Sequence, residues 1–224
     1  MRKKQARLVL LVTAVIVIVI IIAAIIWTNF GSQSPEVTIG VKAGDTFTYE
    51  LQGLWESNDP NATISDSIIQ SNMTESYQVI ITNVSNPDVS IHTIWRFKNG
   101  TEIEADGKVD IETGVSSGGF WAIYAANLNE GQSGHAIGPE PHPISSTVIK
   151  QYLSGERETN LVLLSAQFQN KIDPSRFYTG TRAIQFDKKT GMLVELRDES
   201  TYNIPAMTET IVWKLVASNV WAVA

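Results

Sequence analysis

Gly114-Val-Ser-Ser-Gly118 has the glycine–serine–glycine spacing of a nucleophile elbow, which would make Ser116 an acyl-transfer nucleophile with His135 or His142 as its base. That chemistry needs a strained strand–turn–helix at the top of a parallel sheet, with donors beside the serine to hold an oxyanion. The chain lacks the repeated helices that such a sheet requires. The segment therefore reads as a Ser/Gly loop, and no catalytic residue is assigned. His135, Glu140 and His142 lie in one loop, and each could bind a divalent ion. Their spacing matches no compact helical zinc motif, and a loop with prolines at 139, 141 and 143 need not bring them together. No metal and no cofactor is assigned. The chain has no cysteine, which excludes disulfides, iron–sulfur clusters and zinc–thiolate sites.

A different kind of chemistry is written in four Asn-x-Ser/Thr sequons, at Asn61, Asn72, Asn83 and Asn99. They cluster in a short stretch. Glycans there would turn that half of the domain to solvent and leave partner contact to other surfaces. The alternative candidate surface is the segment around Phe120, Trp121 and Tyr124, followed by His135, Glu140 and His142 in a proline-punctuated loop. Loops of that length are uncommon in compact domains unless they bind, cover or move. The same three rings could equally plug the open side of a sheet as core.

Glycosylation requires an outside location, and the N-terminus supplies one. Residues 8–27 are uncharged with only Thr13 as a polar interruption, and twenty residues of helix span about 30 Å, a bilayer's hydrocarbon thickness. Arg2, Lys3, Lys4 and Arg7 precede the run and no basic cluster follows it. The positive-inside tendency then gives a cytoplasmic tail (1–7), a transmembrane anchor (8–27), a linker (28–35) and an extracytoplasmic domain (36–224). A cleaved signal would need a shorter apolar region and a small-x-small site after it, which is missing. A pilin-type leader cut near Ala6 is the third option, and it would make the chain a filament subunit.

Beyond the tail, 13 of the 17 basic side chains face 23 acidic ones, a formal charge of −10. Such a domain repels nucleic acid and anionic headgroups. Its remaining partners are a protein, a glycan or envelope polymer, or an apolar or lipid ligand outside the cell.

The elements that must position these residues are mostly strands. Period-2 alternation marks 46–51, 77–81 and 89–97, and Asn99-Gly100 is a hairpin signal. A short return over 101–104 and a turn at Asp106-Gly107 lead to 108–112. Residues 120–129 (FWAIYAANLN) are the only soluble-helix candidate, and 130–143 read as irregular. Strands resume at 145–153 and 159–168. Residues 181–186 pair with 192–198 across 187–191, and 208–216 and 219–223 close the chain. The expected fold is mainly β: an antiparallel curved sheet (half-barrel) or a sandwich of about ten strands with one central helix, plus the transmembrane helix.

Four stretches carry a resemblance: Val41-Lys-Ala-Gly-Asp-Thr-Phe-Thr-Tyr49, Trp95-Arg-Phe-Lys-Asn-Gly-Thr-Glu102, Ala126-Asn-Leu-Asn-Glu-Gly131 and Phe186-Asp-Lys-Lys-Thr-Gly-Met-Leu-Val-Glu195. In that order they look like uncharacterised archaeal membrane-anchored surface proteins. The last stretch is also similar to a hairpin of curved-sheet lipoprotein carriers of the LolA and LppX type, which implies a half-barrel and a lipid ligand. The chain has no lipobox cysteine, unlike a shuttling carrier. The function expected is a non-enzymatic, membrane-tethered domain that binds a ligand at the cell surface. An envelope hydrolase using Ser116 or the His135/His142 loop and a structural filament subunit are the alternatives.

Overall fold

Alternating polar and apolar residues build nine antiparallel strands: β1 (Thr46–Ser57), β2 (Thr74–Ser85), β3 (Asp88–Phe97), β4 (Glu102–Asp110), β5 (Ser146–Tyr152), β6 (Gly155–Gln169), β7 (Phe177–Asp187), β8 (Leu193–Asn203) and β9 (Ala206–Ser218). They belong to a computed structural model that describes residues 37–137 and 142–223. The tail, the apolar run at 8–27, the linker and Glu140 lie outside the described residues. Among the described residues no helix is long and apolar enough to cross a membrane.

The strands form one open sheet in the order β4-β3-β2-β1-β9-β8-β7-β6-β5. Each strand pairs with its neighbour in sequence except where β1 meets β9, so two meanders join through the first and last strands. A sandwich would need two sheets, and the described residues form one. The inner face carries Tyr49, Leu51 and Gly53 of β1, with Leu215, Trp213 and Ile211 opposite them on β9. Phe47, Tyr49, Val79, Ile81 and Ile91 are almost wholly buried, as their alternation with polar residues requires.

The predicted central helix is not formed. Residues 111–137 and 142–145 instead cross the inner face as a non-helical strap, with Phe120, Ala122, Ile123, Tyr124, Ala125 and Ala126 buried in near succession. A helix would bury one stripe, but this run is enclosed from several sides. Its backbone bonds go to other segments: Tyr124 N–H donates to Gly191 O at 2.9 Å, Asn127 N–H to Lys188 O at 2.7 Å and Ala126 N–H to Thr38 O at 2.8 Å. Phe120 lies with Tyr49, Tyr77 and Trp213, at ring separations of 5.7, 6.3 and 6.4 Å. Truncating a ring so placed costs about 3–5 kcal/mol.

Two further boundaries differ. Asp106-Gly107 is no turn, because β4 runs straight through it, and residues 219–223 form no strand. Gly107 is needed because the strap crosses there. A Cβ on Gly107 would lie 2.3 Å from Ser117 O. The described helix, α1 (Asp66–Met73), comes from a stretch with no strong sequence signal. It buries Ile68 against Gly53 of β1, where a Cβ would meet Ile68 O at 2.7 Å.

Candidate functional site

The strap covers only part of the inner face. Beside it, β6, β7 and β8 present a floor that no described residue covers and that the registers define: Leu164 opposite Arg182, Ala166 opposite Gly180, and Arg182 opposite Asp198. Two adjoining hollows share Arg182 and Asp198. One, of about 370 Å³, is lined by Leu164, Ala166, Phe168, Gly180 and His142. The other, of about 180 Å³, lies under the strap's edge at Trp121 and is floored by Leu196, Ile211 and Trp213. Together they form an open groove with an apolar floor, an aromatic wall and, among the described residues, one ion pair, the usual recipe of a ligand site.

Arg182 donates to Asp198 Oδ2 through Nε at 3.1 Å and also through Nη2. Its guanidinium lies 5.6 Å from the centroid of the Trp121 ring. Among the described lining residues the groove therefore holds one cation and one anion that satisfy each other, on a floor without other charge. Gly180 matters to its depth. A side chain there would press towards Phe168, whose ring edge is 3.3 Å from the Cβ position. On the opposite face the same strands form another hollow, of about 360 Å³, lined by Leu163, Ala183, Arg197 and Glu199, and Leu163 is exposed there.

The residues singled out from sequence divide between core and groove. Phe120 and Tyr124 are buried core, with Tyr124 stacked 4.4 Å from Phe186 and 4.8 Å from His135. Trp121 is half-buried and walls the groove. His135 is buried, its Nδ1 2.9 Å from Ile111 O, and burial lowers its pKa from the ordinary imidazole value. It packs against Gly114, where a Cβ would stand 2.7 Å from the imidazole. His142 lines the larger hollow. Glu140 lies outside the described residues. Among those residues no group of three or more histidines and carboxylates could hold a metal ion.

Ser116 does not sit on an elbow. It is exposed and bridged to Val109 at the edge of an antiparallel sheet, whereas His135 is turned inward to Ile111. Three sequon asparagines, Asn61, Asn83 and Asn99, are exposed with their sequon Ser or Thr, but Thr74 of the fourth is buried. The groove residues Leu164, Gly180, Arg182 and Asp198 were not singled out from sequence. One signal was available: the hairpin across 187–191 brings Arg182 and Asp198 opposite each other. Compared with family models and with curated proteins, the chain matches none.

Proposed function

We propose that this chain is a membrane-tethered, extracytoplasmic, non-catalytic binding module that holds an uncharged apolar ligand in the groove beside Trp121. The apolar run at 8–27 and the basic residues before it support the tether. The open sheet is best read as a half-barrel, with the strap filling one part of its hollow and the ligand the other. One observation carries the ligand class. Among the described residues the groove's one ion pair is internally matched, so an anion would meet Asp198 and a cation would meet Arg182, while a neutral chain disturbs neither. The likeness to curved-sheet carriers agrees with this reading, and so does the apolar floor. A neutral polymer with apolar faces is compatible only where it can lie along Trp121.

Nile red, an uncharged apolar fluorophore, tests the site on the full chain in mild detergent-free nanodiscs. Blue-shifted emission above that of empty discs is expected. Gly180→Leu, which fills the floor, should weaken binding at least tenfold, an effect of roughly 1.4 kcal/mol or more. Leu163→Ser, on the opposite face, should leave it unchanged. The reverse pattern would move the site to the outer hollow and end the groove reading.

A further inference from the structure

Asn72 begins a sequon, yet its side chain is already occupied. Gly53 N–H donates to Asn72 Oδ1 at 2.9 Å, and Asn72 Nδ2 donates back to Gly53 O at 2.9 Å. The sheet explains why. β1 pairs with β2 only from Thr46 to Tyr49, opposite Ile80 to Tyr77. Beyond Tyr49 no strand among the described residues lies beside that edge of β1, although β9 still flanks its other edge. The amide of Asn72, at the end of α1, supplies the bonds that a strand would have made at Gly53. The sequon's third residue is occupied as well. Thr74 is 3% exposed, its Oγ1 donates to Gln70 O at 2.9 Å, and it accepts from Trp95 Nε1 at 2.8 Å.

Asn72 is exposed like the other sequon asparagines, so the contrast lies in its two-ended pairing and in its buried third residue. Asn61, Asn83 and Asn99 are exposed, as are Thr63, Ser85 and Thr101. Among the described residues Asn99 uses only its Oδ1, which accepts from Thr101 N–H at 2.9 Å, and no hydrogen bond engages its Nδ2. Asn61 Nδ2 makes one long surface bond to Asp59 at 3.2 Å. No hydrogen bond among the described residues engages the Asn83 amide.

We propose that the folded chain carries N-linked glycans at Asn61, Asn83 and Asn99, and that Asn72 stays bare as a clamp between α1 and β1. This rests on the extracytoplasmic placement argued above. N-glycosylation joins Nδ2 to the anomeric carbon of a phosphate-activated sugar. The sugar's C–O bond to phosphate breaks, its electron pair leaves on the phosphate, and Nδ2 loses one proton. The new secondary amide is trans, which places the sugar on the same side of the C–N bond as Oδ1. That is the side from which Asn72 donates to Gly53, since one residue's N–H and C=O are gripped by both ends of the amide. Glycan and clamp are therefore mutually exclusive, whichever forms first.

Glycopeptide mapping of the full chain, purified folded from native membranes, should find sugar on Asn61, Asn83 and Asn99 and none on Asn72. Sugar on Asn72 in protein that melts cooperatively overturns the clamp. Four bare asparagines overturn the glycan assignment. Labelling intact cells with a membrane-impermeant amine reagent separates that failure from a failure of placement: surface lysines react only if the domain is outside. In unglycosylated full-length protein, Asn72→Gln should lower the melting temperature by roughly 2–4 °C, while Asn61→Gln, Asn83→Gln and Asn99→Gln should not. Equal melting of all four variants also overturns the clamp.

Discussion

A Cβ added to Gly118 would lie 2.6 Å from the Cα of Gly107, so the strap and β4 cross backbone against backbone. Gly118 also has a φ of +77°, in the left-handed region. The crossing fixes where the strap enters the inner face, and with it the placement of Phe120 in the core and Trp121 at the groove. Gly118→Ala adds a backbone clash to a strained φ and should cost about 2–4 kcal/mol in urea unfolding. Gly131→Ala is the comparison, because Gly131 has a similar φ of +81° and nothing within 4 Å of its Cβ position. It should cost only about 1 kcal/mol. Equal losses would mean that the crossing itself contributes nothing.

The turn at 187–191 is held from inside by a carboxylate. Asp187 is 2% exposed and takes a two-point contact from Arg157, Nε to Oδ2 at 2.7 Å and Nη2 to Oδ1 at 2.9 Å. It also accepts from Thr190 N–H and Oγ1, both at 2.8 Å. Arg157 lies 4.3 Å over the Trp221 ring. Asp187→Ala strands that guanidinium and should cost about 3–5 kcal/mol by chemical denaturation. Adding Arg157→Met should restore part of the loss, because the cost of an unpaired charge disappears. A double variant as unstable as the sum of the two singles would show that the pair is not coupled.

Local pattern made the strands legible. Phe47, Tyr49 and Leu51, or Val89, Ile91 and Thr93, alternate because neighbouring side chains on a strand face opposite ways, and that needs no knowledge of partners. The strap was misread because a run buried from several sides has neither period. Asp106-Gly107 looked like a turn because glycine's usual local meaning concealed a contact with Gly118, eleven residues later. The Asn72 clamp depends on β1 parting from β2, a property of the assembled sheet. Of the candidate site, Trp121 and His142 were within reach of sequence, whereas Leu164 and Gly180 became part of it only through the β6–β7 register.

Two buried tyrosines should answer differently to loss of the hydroxyl. Tyr49 donates to Leu193 O at 3.0 Å, while Tyr124 Oη is buried without a hydrogen-bond partner among the described residues. Burial raises the pKa of both. Tyr49→Phe should lose about 1 kcal/mol of stability. Tyr124→Phe keeps the stacking on Phe186 and removes an unsatisfied polar atom, so its stability should be unchanged or higher. A larger loss for Tyr124→Phe than for Tyr49→Phe would contradict the bonding seen at both sites.

Histidine titration supplies a pH test with two opposite signs. His92, on β3, has Nδ1 2.8 Å from Asp106 Oδ1 and Nε2 3.3 Å from Glu104 Oε2, and the hydrogen bond to Asp106 is the main cause of its raised pKa. Its folded-state pKa exceeds the unfolded value near 6.5, so its stabilisation is complete below that pH and is lost as pH rises through the folded pKa. His135 behaves inversely. Burial lowers its pKa, opposed by the backbone contact at Ile111 and aided by His142. Its unfolded state binds the proton more readily, so stability falls as pH drops below about 6.5 towards the folded pKa. NMR titration should place the His92 midpoint above 6.5 and the His135 midpoint below it. In unfolding measurements across that range, His92→Gln should narrow the high-pH loss, and a His135 variant that keeps the fold should narrow the low-pH loss. Midpoints in the opposite order would mean that the Asp106 contact and the burial under Tyr124 do not persist in solution.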